Sequence, residues 1–146
     1  MNHLLQDITS GDPTTVRSSS CEIIKSRDKQ ELDYLASKLE AIREQTKGLA
    51  LGGALFPNAE HLKFALRKLE YHRSRAGCLC LLYPGYLFYN PQQEAEAGNV
   101  TIESTSYLEG KWVDFYECVC TTCGKRYRVE ERESHYTWWG WKALER

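Results

Sequence analysis

No apolar run in this chain approaches the roughly 18 residues that a membrane-crossing helix needs. There is also no surplus of one charge. Lys and Arg number 19 against 20 Asp and Glu, for a net −1, whereas a general binder of nucleic acid or anionic membrane is normally basic. The opening stretch, MNHLLQDITSGDP, lacks the basic start and apolar core of a secretion signal, so a cytoplasmic protein is the expectation. No long linker divides the sequence. Gly52 and Gly53 are not followed by the Lys-Ser/Thr of a phosphate-binding loop, and no strand precedes them. No His-x-Glu accompanies the Cys-x-x-Cys pair, which excludes the nucleobase-deaminase pattern.

What the chain does have is apolar and aromatic matter. Apolar residues make up 42%, with nine tyrosines and four tryptophans; such rings supply large buried areas. The first part reads as about four helices, forming a helical lobe over residues 1–75. HLLQDI is a short amphipathic turn or two. Gly11 stops it, Asp12 caps the next helix and Pro13 suits that helix's first position. This second helix is expected to run from Pro13 to Lys25. Asp28 with Glu31 forms a capping-box pattern. Leu32, Leu35, Ala36, Leu39 and Ile42 then make one buried stripe on a third helix ending near Gly48. GLALGGALFPN reads as a buried connector with a tight turn. Asn58 is expected to cap a fourth helix carrying Leu62, Ala65, Leu66 and Leu69.

From residue 76 onward the pattern shifts to short alternating runs. CLCLLY, YLFYN, NVTIESTSY, KWVDFYECV, KRYRVEERE and HYTWWGWKA read as five or six strands, with NPQQEAEAGN as a polar loop. Alternation in VTIES and KWVDFYE points to antiparallel sheet with one wet face. The expected fold is therefore α+β: a helical lobe over 1–75 packed on an antiparallel β lobe over 76–146, the two forming one compact unit.

The chemistry is concentrated in cysteines. Cys120-x-x-Cys123-Gly124 has the form of a metal-binding knuckle, where the chain turns sharply and glycine supplies a positive φ. Cys78 and Cys80 provide the second pair, and as strand residues both would face one way. Four thiolates make a closed tetrahedral site, so structural Zn²⁺ held by Cys78, Cys80, Cys120 and Cys123 is the leading expectation. Cys118, on the same strand face as Cys120, is a substitute ligand, and His135 a reserve. Two alternatives stay open: cysteines as small buried hydrophobes, or a disulfide between CLC and CVC. Cys21, on a helix, reads as a packing residue.

Two further stretches have both a plain and a functional reading. Trp139 and Trp141 share one face of the last strand; they either close the core or form an anchor for a partner. HLKFALRKLEYHRSR, with Lys63 and Arg67 four apart, is either a solvated face or the surface for an acidic partner.

Two resemblances follow from these motifs. SGDPTTVRSSSCEII with DKQELDYLASKLEAI resembles a helical hairpin of the HEAT type over residues 3–45, without a second copy. The Cys-x-x-Cys-Gly knuckle resembles the second half of a zinc ribbon. Continued by YRVEERESHYTWWGW, it is similar to the end of small bacterial proteins, some of which serve as immunity partners of polymorphic toxins. That resemblance implies binding and neutralising a protein partner rather than catalysis, and assigns no individual residue. The sequence thus favours a non-enzymatic cytoplasmic binding protein, with an immunity-type inhibitor of a toxin domain as its most concrete form. The alternative is a regulatory nucleic-acid-binding zinc ribbon using Arg126, Tyr127 and Arg128. An enzyme with Cys118 or Cys21 as nucleophile comes third, since no His/Asp partner stands at a telling spacing.

Overall fold

A computed structural model describes residues 3–53, 56–75 and 77–145. The fold is α+β, with helices first and an antiparallel four-stranded sheet after them. The chain divides into two compact units, Met1–Gly77 and Cys78–Arg146.

Among its described residues the first unit has five helices rather than about four: α1 (His3–Ile8), α2 (Pro13–Lys25), α3 (Lys29–Ser37), α4 (Leu39–Thr46) and α5 (Ala59–Ser74). The start of α2 follows from its residues. The Asp12 carboxylate accepts from the Thr15 amide at 3.0 Å, and Pro13 opens the first turn, where no N–H is needed. Asp28 likewise accepts from the Glu31 amide at 3.2 Å. The reciprocal half of that box is missing, because Glu31 accepts from the Ser26 hydroxyl at 2.8 Å instead.

The expected third helix is split. Lys38 leaves helical geometry with φ −105° and ψ 12°, so α3 ends and α4 restarts there. The apolar stripe survives the break, for Leu32, Leu35, Ala36, Leu39 and Ile42 are all buried. Periodicity registers which face is buried and is blind to a one-residue bend. Asn58 also departs from expectation. It makes no side-chain cap; instead its side-chain Nδ2 donates to the Leu51 carbonyl at 3.1 Å, tying down the connector. Of that connector Leu51 is buried, whereas Gly52 and Gly53 are exposed; Ala54 and Leu55 lie outside the described residues. Gly53 is required there, since a Cβ would sit 2.5 Å from the Phe56 carbonyl oxygen.

Helix α5 packs against α2, α3 and α4. At its centre Lys68 is 1% exposed. Its ammonium donates to the carbonyls of Ile23, Ile24 and Ser26 at 2.9, 2.6 and 2.6 Å. These carbonyls lie at the C-terminus of α2, where the amides of a next turn are missing and the dipole favours a cation; Ile23 also accepts from the Ser26 amide at 3.2 Å. The run that read as a basic surface therefore contains one lysine that is part of the interior.

In the second unit the strands are β1 (Val100–Leu108), β2 (Trp112–Cys120), β3 (Arg126–Glu133) and β4 (Thr137–Ala143), ordered β1-β2-β3-β4. Four strands replace the expected five or six. CLCLLY begins a 3-10 helix, Leu79–Gly85. An apolar run of this length does not by itself separate strand from helix, and Pro84 has no N–H for a ladder. YLFYN forms a turn rather than a strand; the Leu87 carbonyl accepts from the Trp139 amide at 2.8 Å. NPQQEAEAGN holds a short helix, α6 (Pro91–Glu96), capped by Asn90, whose side chain accepts from the Gln92 amide at 2.9 Å. Its overall polarity hid a cap-and-proline start of the same kind as in α2.

One sheet face is buried and carries Tyr116, Cys118 and Cys120 of β2 with Tyr127 and Val129 of β3 and Trp141 of β4. Tyr83 of the 3-10 helix stacks on Trp141 at 4.0 Å between ring centroids, and Tyr127 meets both edge-on. The opposite face is wet. There Arg128 lies 4.1 Å over the Phe115 ring and pairs with Glu117, while Arg132 pairs with Asp114. Beyond the Phe115–Glu130 pair β2 is laddered to β1 alone, and the tip of that hairpin exposes Tyr107, Leu108 and Trp112.

Candidate metal centre

The centre is made by two turns. The first is the start of the 3-10 helix. Cys78 stands just before it in extended geometry (φ −65°, ψ 141°) and Cys80 lies one residue inside. The shared strand face expected for this pair is therefore not the cause of their convergence; a turn brings both sulfurs inward. The second is the knuckle between β2 and β3. Cys120 ends β2, and its carbonyl accepts from the Gly124 amide at 2.9 Å while its amide donates to the Lys125 carbonyl at 2.9 Å. Gly124 has φ 80°, the left-handed conformation that the spacing predicted.

These turns bring the thiols of Cys78, Cys80, Cys120 and Cys123 within 4.8 Å of one another. Cys78 Sγ lies 3.7 Å from Cys120 Sγ, and Cys80 Sγ lies 3.5 Å from Cys123 Sγ. All four are free thiols, so the disulfide between CLC and CVC is not formed. Each close contact joins one residue of the first turn to one of the second. The four sulfurs could hold a metal ion that links the two.

Surrounding groups prepare the sulfurs unequally. Burial raises the Cys78 and Cys80 thiols above their ordinary range. Burial also acts to raise Cys120, but hydrogen bonds donated to its sulfur by the backbone of Cys123 and Thr122 and by its thiol neighbours outweigh it, bringing Cys120 down to about 7. The Thr122 amide is 3.4 Å from that sulfur. The buried Tyr127 hydroxyl donates to the Cys80 carbonyl at 2.9 Å and contacts its sulfur at 3.2 Å, holding the first turn against the sheet. Nothing in the sequence pattern ties Tyr127 to Cys80; it reads there as a ring beside Arg126 and Arg128. Thr121 was not singled out at all, yet its hydroxyl donates to the Gly98 carbonyl at 2.7 Å and anchors the knuckle to the residues before β1.

The other singled-out residues lie elsewhere. Cys118 is buried on the same face of β2, opposite Tyr127 and Ile102, and is not in the group of four. Burial, helped by the charge of Glu103, pushes its thiol up to about 12. His135 sits exposed between β3 and β4. Trp141 is 3% exposed and belongs to the ring cluster, its indole donating to the Tyr89 carbonyl at 2.9 Å; it offers no free surface to a partner. Trp139 is half-buried and donates to Glu131 at 2.9 Å. Lys63 and Arg67 are exposed on α5. No family model matches this chain, and neither does any curated protein or solved structure.

Proposed function

We propose that this is a non-enzymatic binding protein whose C-terminal unit is held by a structural Zn²⁺. The observation that carries the zinc reading is the convergence of four thiols from two turns within 4.8 Å. A tetrahedral Zn–S₄ site with bonds of about 2.3 Å has sulfur–sulfur edges of about 3.8 Å. The two close pairs, at 3.7 and 3.5 Å, are already near that edge. Four thiolates leave no open position for substrate, which favours a structural over a catalytic ion. Such an ion needs reduced thiols, as the cytoplasm maintains. With catalysis disfavoured, binding is what remains for the surface, and an immunity-type inhibitor of a protein toxin is its most concrete form.

Two observations weigh against the competing readings. Arg126 and Arg128, which a nucleic-acid-binding ribbon would use, are engaged with Glu103 and Glu117. The Cys118 thiol, pushed up to about 12 by burial, is protonated at neutral pH and is no activated nucleophile.

The test combines metal analysis of the purified protein with an affinity pull-down from its native host. The expected result is one zinc per chain and a specific protein partner. Absence of metal, together with a Cys123→Ser protein that melts like the parent, would overturn the zinc reading. Tight nucleic-acid binding that weakens steeply with salt would overturn the partner class.

A further inference from the structure

We propose that the outward face of α5, together with Arg43 of α4, is the docking groove for an acidic amphipathic segment of a protein partner. This rests on the binding reading above and names the surface and the chemistry it selects. Lys63, Leu66, Arg67, Glu70, Tyr71 and Ser74 recur along α5 at the three- and four-residue spacing of a single helix face. It is a different face from the one that buries Leu62, Ala65, Lys68 and Leu69. Arg43 forms the opposite wall of an open groove of about 560 Å³.

The floor and rim differ in chemistry. Leu66 and Tyr71 are half-buried along the floor. Three cations, Arg43, Lys63 and Arg67, stand around them against a single anion, Glu70. Glu70 is already shared by Arg43 and Arg73, at 3.2 and 2.7 Å. Lys63 reaches only the exposed Glu60, at 3.4 Å, with its side chain 74% exposed. Arg67 forms no ion pair among the described residues, and its guanidinium lies over the Phe64 ring. The groove thus has an apolar strip whose lining carries three cations to one anion; Arg43 is shared with Glu40 and Glu70, Lys63 meets the exposed Glu60, and Arg67, with no ion pair among the described residues, is left for a partner's carboxylate. Its complement is a helix with apolar residues at i, i+3, i+4 and i+7 and carboxylates beside them. Charge complementarity of this kind sets partner choice and encounter rate more than raw affinity.

The experiment is a selection of displayed helical peptides on the full, metal-loaded chain, with counter-selection on the Lys63→Glu/Arg67→Glu variant. Both positions are exposed, so that variant is expected to keep parental helicity and metal content. If it does not, Lys63→Gln/Arg67→Gln takes its place. The expected outcome is enrichment of acidic sequences with helically spaced apolar residues. These should bind the variant at least about tenfold more weakly and shift the amide resonances of Leu66 and Tyr71. No enrichment, enrichment without acidic bias, or equal affinity for the variant overturns the proposal. So does displacement of the peptides by a single-stranded DNA oligonucleotide, or resonance shifts confined to Tyr107, Leu108 and Trp112. Binding at that hairpin tip would remove the groove and leave the broader binding reading standing. Metal content, measured on the same sample, reports separately on the thiol site.

Discussion

One unit gathers polar groups around a cation of its own, and the other around a position that could take one. In the first, carbonyls at the end of α2 are gathered by the Lys68 ammonium, which makes three hydrogen bonds while 1% exposed. In the second, four sulfurs from two turns are gathered around a position suited to a metal. The lysine is part of the chain and forms its bonds whenever the helices pack. A metal ion is exchangeable, and its binding free energy is folding free energy. The helical unit should therefore be indifferent to metal supply and redox state, and the sheet unit should depend on both.

The largest effect should come from taking the ion away. Structural zinc contributes about 10–16 kcal/mol of apparent binding free energy at neutral pH, more than the margin of a typical small domain. A strong chelator, or Cys123→Ser, should abolish the near-ultraviolet circular dichroism of the Tyr83–Tyr127–Trp141 cluster while the helical far-ultraviolet signal persists. Loss of both signals together would break the comparison.

Next is Lys68→Met, which keeps most of the side chain's length and removes the ammonium from three carbonyls. It should destabilise the helical unit by about 3 kcal/mol, seen as a lower urea midpoint for helix loss that metal does not restore. Tyr127→Phe removes the hydroxyl that supports Cys80. It should weaken metal binding by about tenfold in a competition titration, with the fold intact at saturating metal. Gly124→Ala should have an effect of similar size, about 1–2 kcal/mol. A Cβ there meets no atom within 4 Å, so its cost is the left-handed backbone alone. Metal uptake at pH 7 should also release protons, those of Cys78 and Cys80 among them, whose thiols burial raises. The measured binding enthalpy should then vary with the ionisation heat of the buffer.

The parts of the molecule legible in sequence are those where one local rule decides. Asp12-Pro13 placed the start of α2 because a cap and a proline act through nearest neighbours. Cys120-x-x-Cys123-Gly124 gave the knuckle because its spacing and its glycine answer to one tight turn. Lys68 was hidden because no pattern on α5 tells a solvated lysine from one whose partners lie on another helix, at Ile23, Ile24 and Ser26. CLCLLY was read as strand because its burial is compatible with either geometry. The pairing of its cysteines with the knuckle was still found, since ligand chemistry depends on where the sulfurs meet and not on the backbone that delivers them.

Cys80 and Cys120 are buried, whereas Cys123 is exposed at the rim of an opening it shares with Lys125, Arg126 and Leu144. A metal held by these four sulfurs would therefore have one wet corner. An incoming thiol, from a chelator or a metal-delivering protein, would meet that sulfur before any other, so loading and stripping would run through the same door. The rate of metal exchange would then be set at Cys123, and the tightness of binding by the three sulfurs behind.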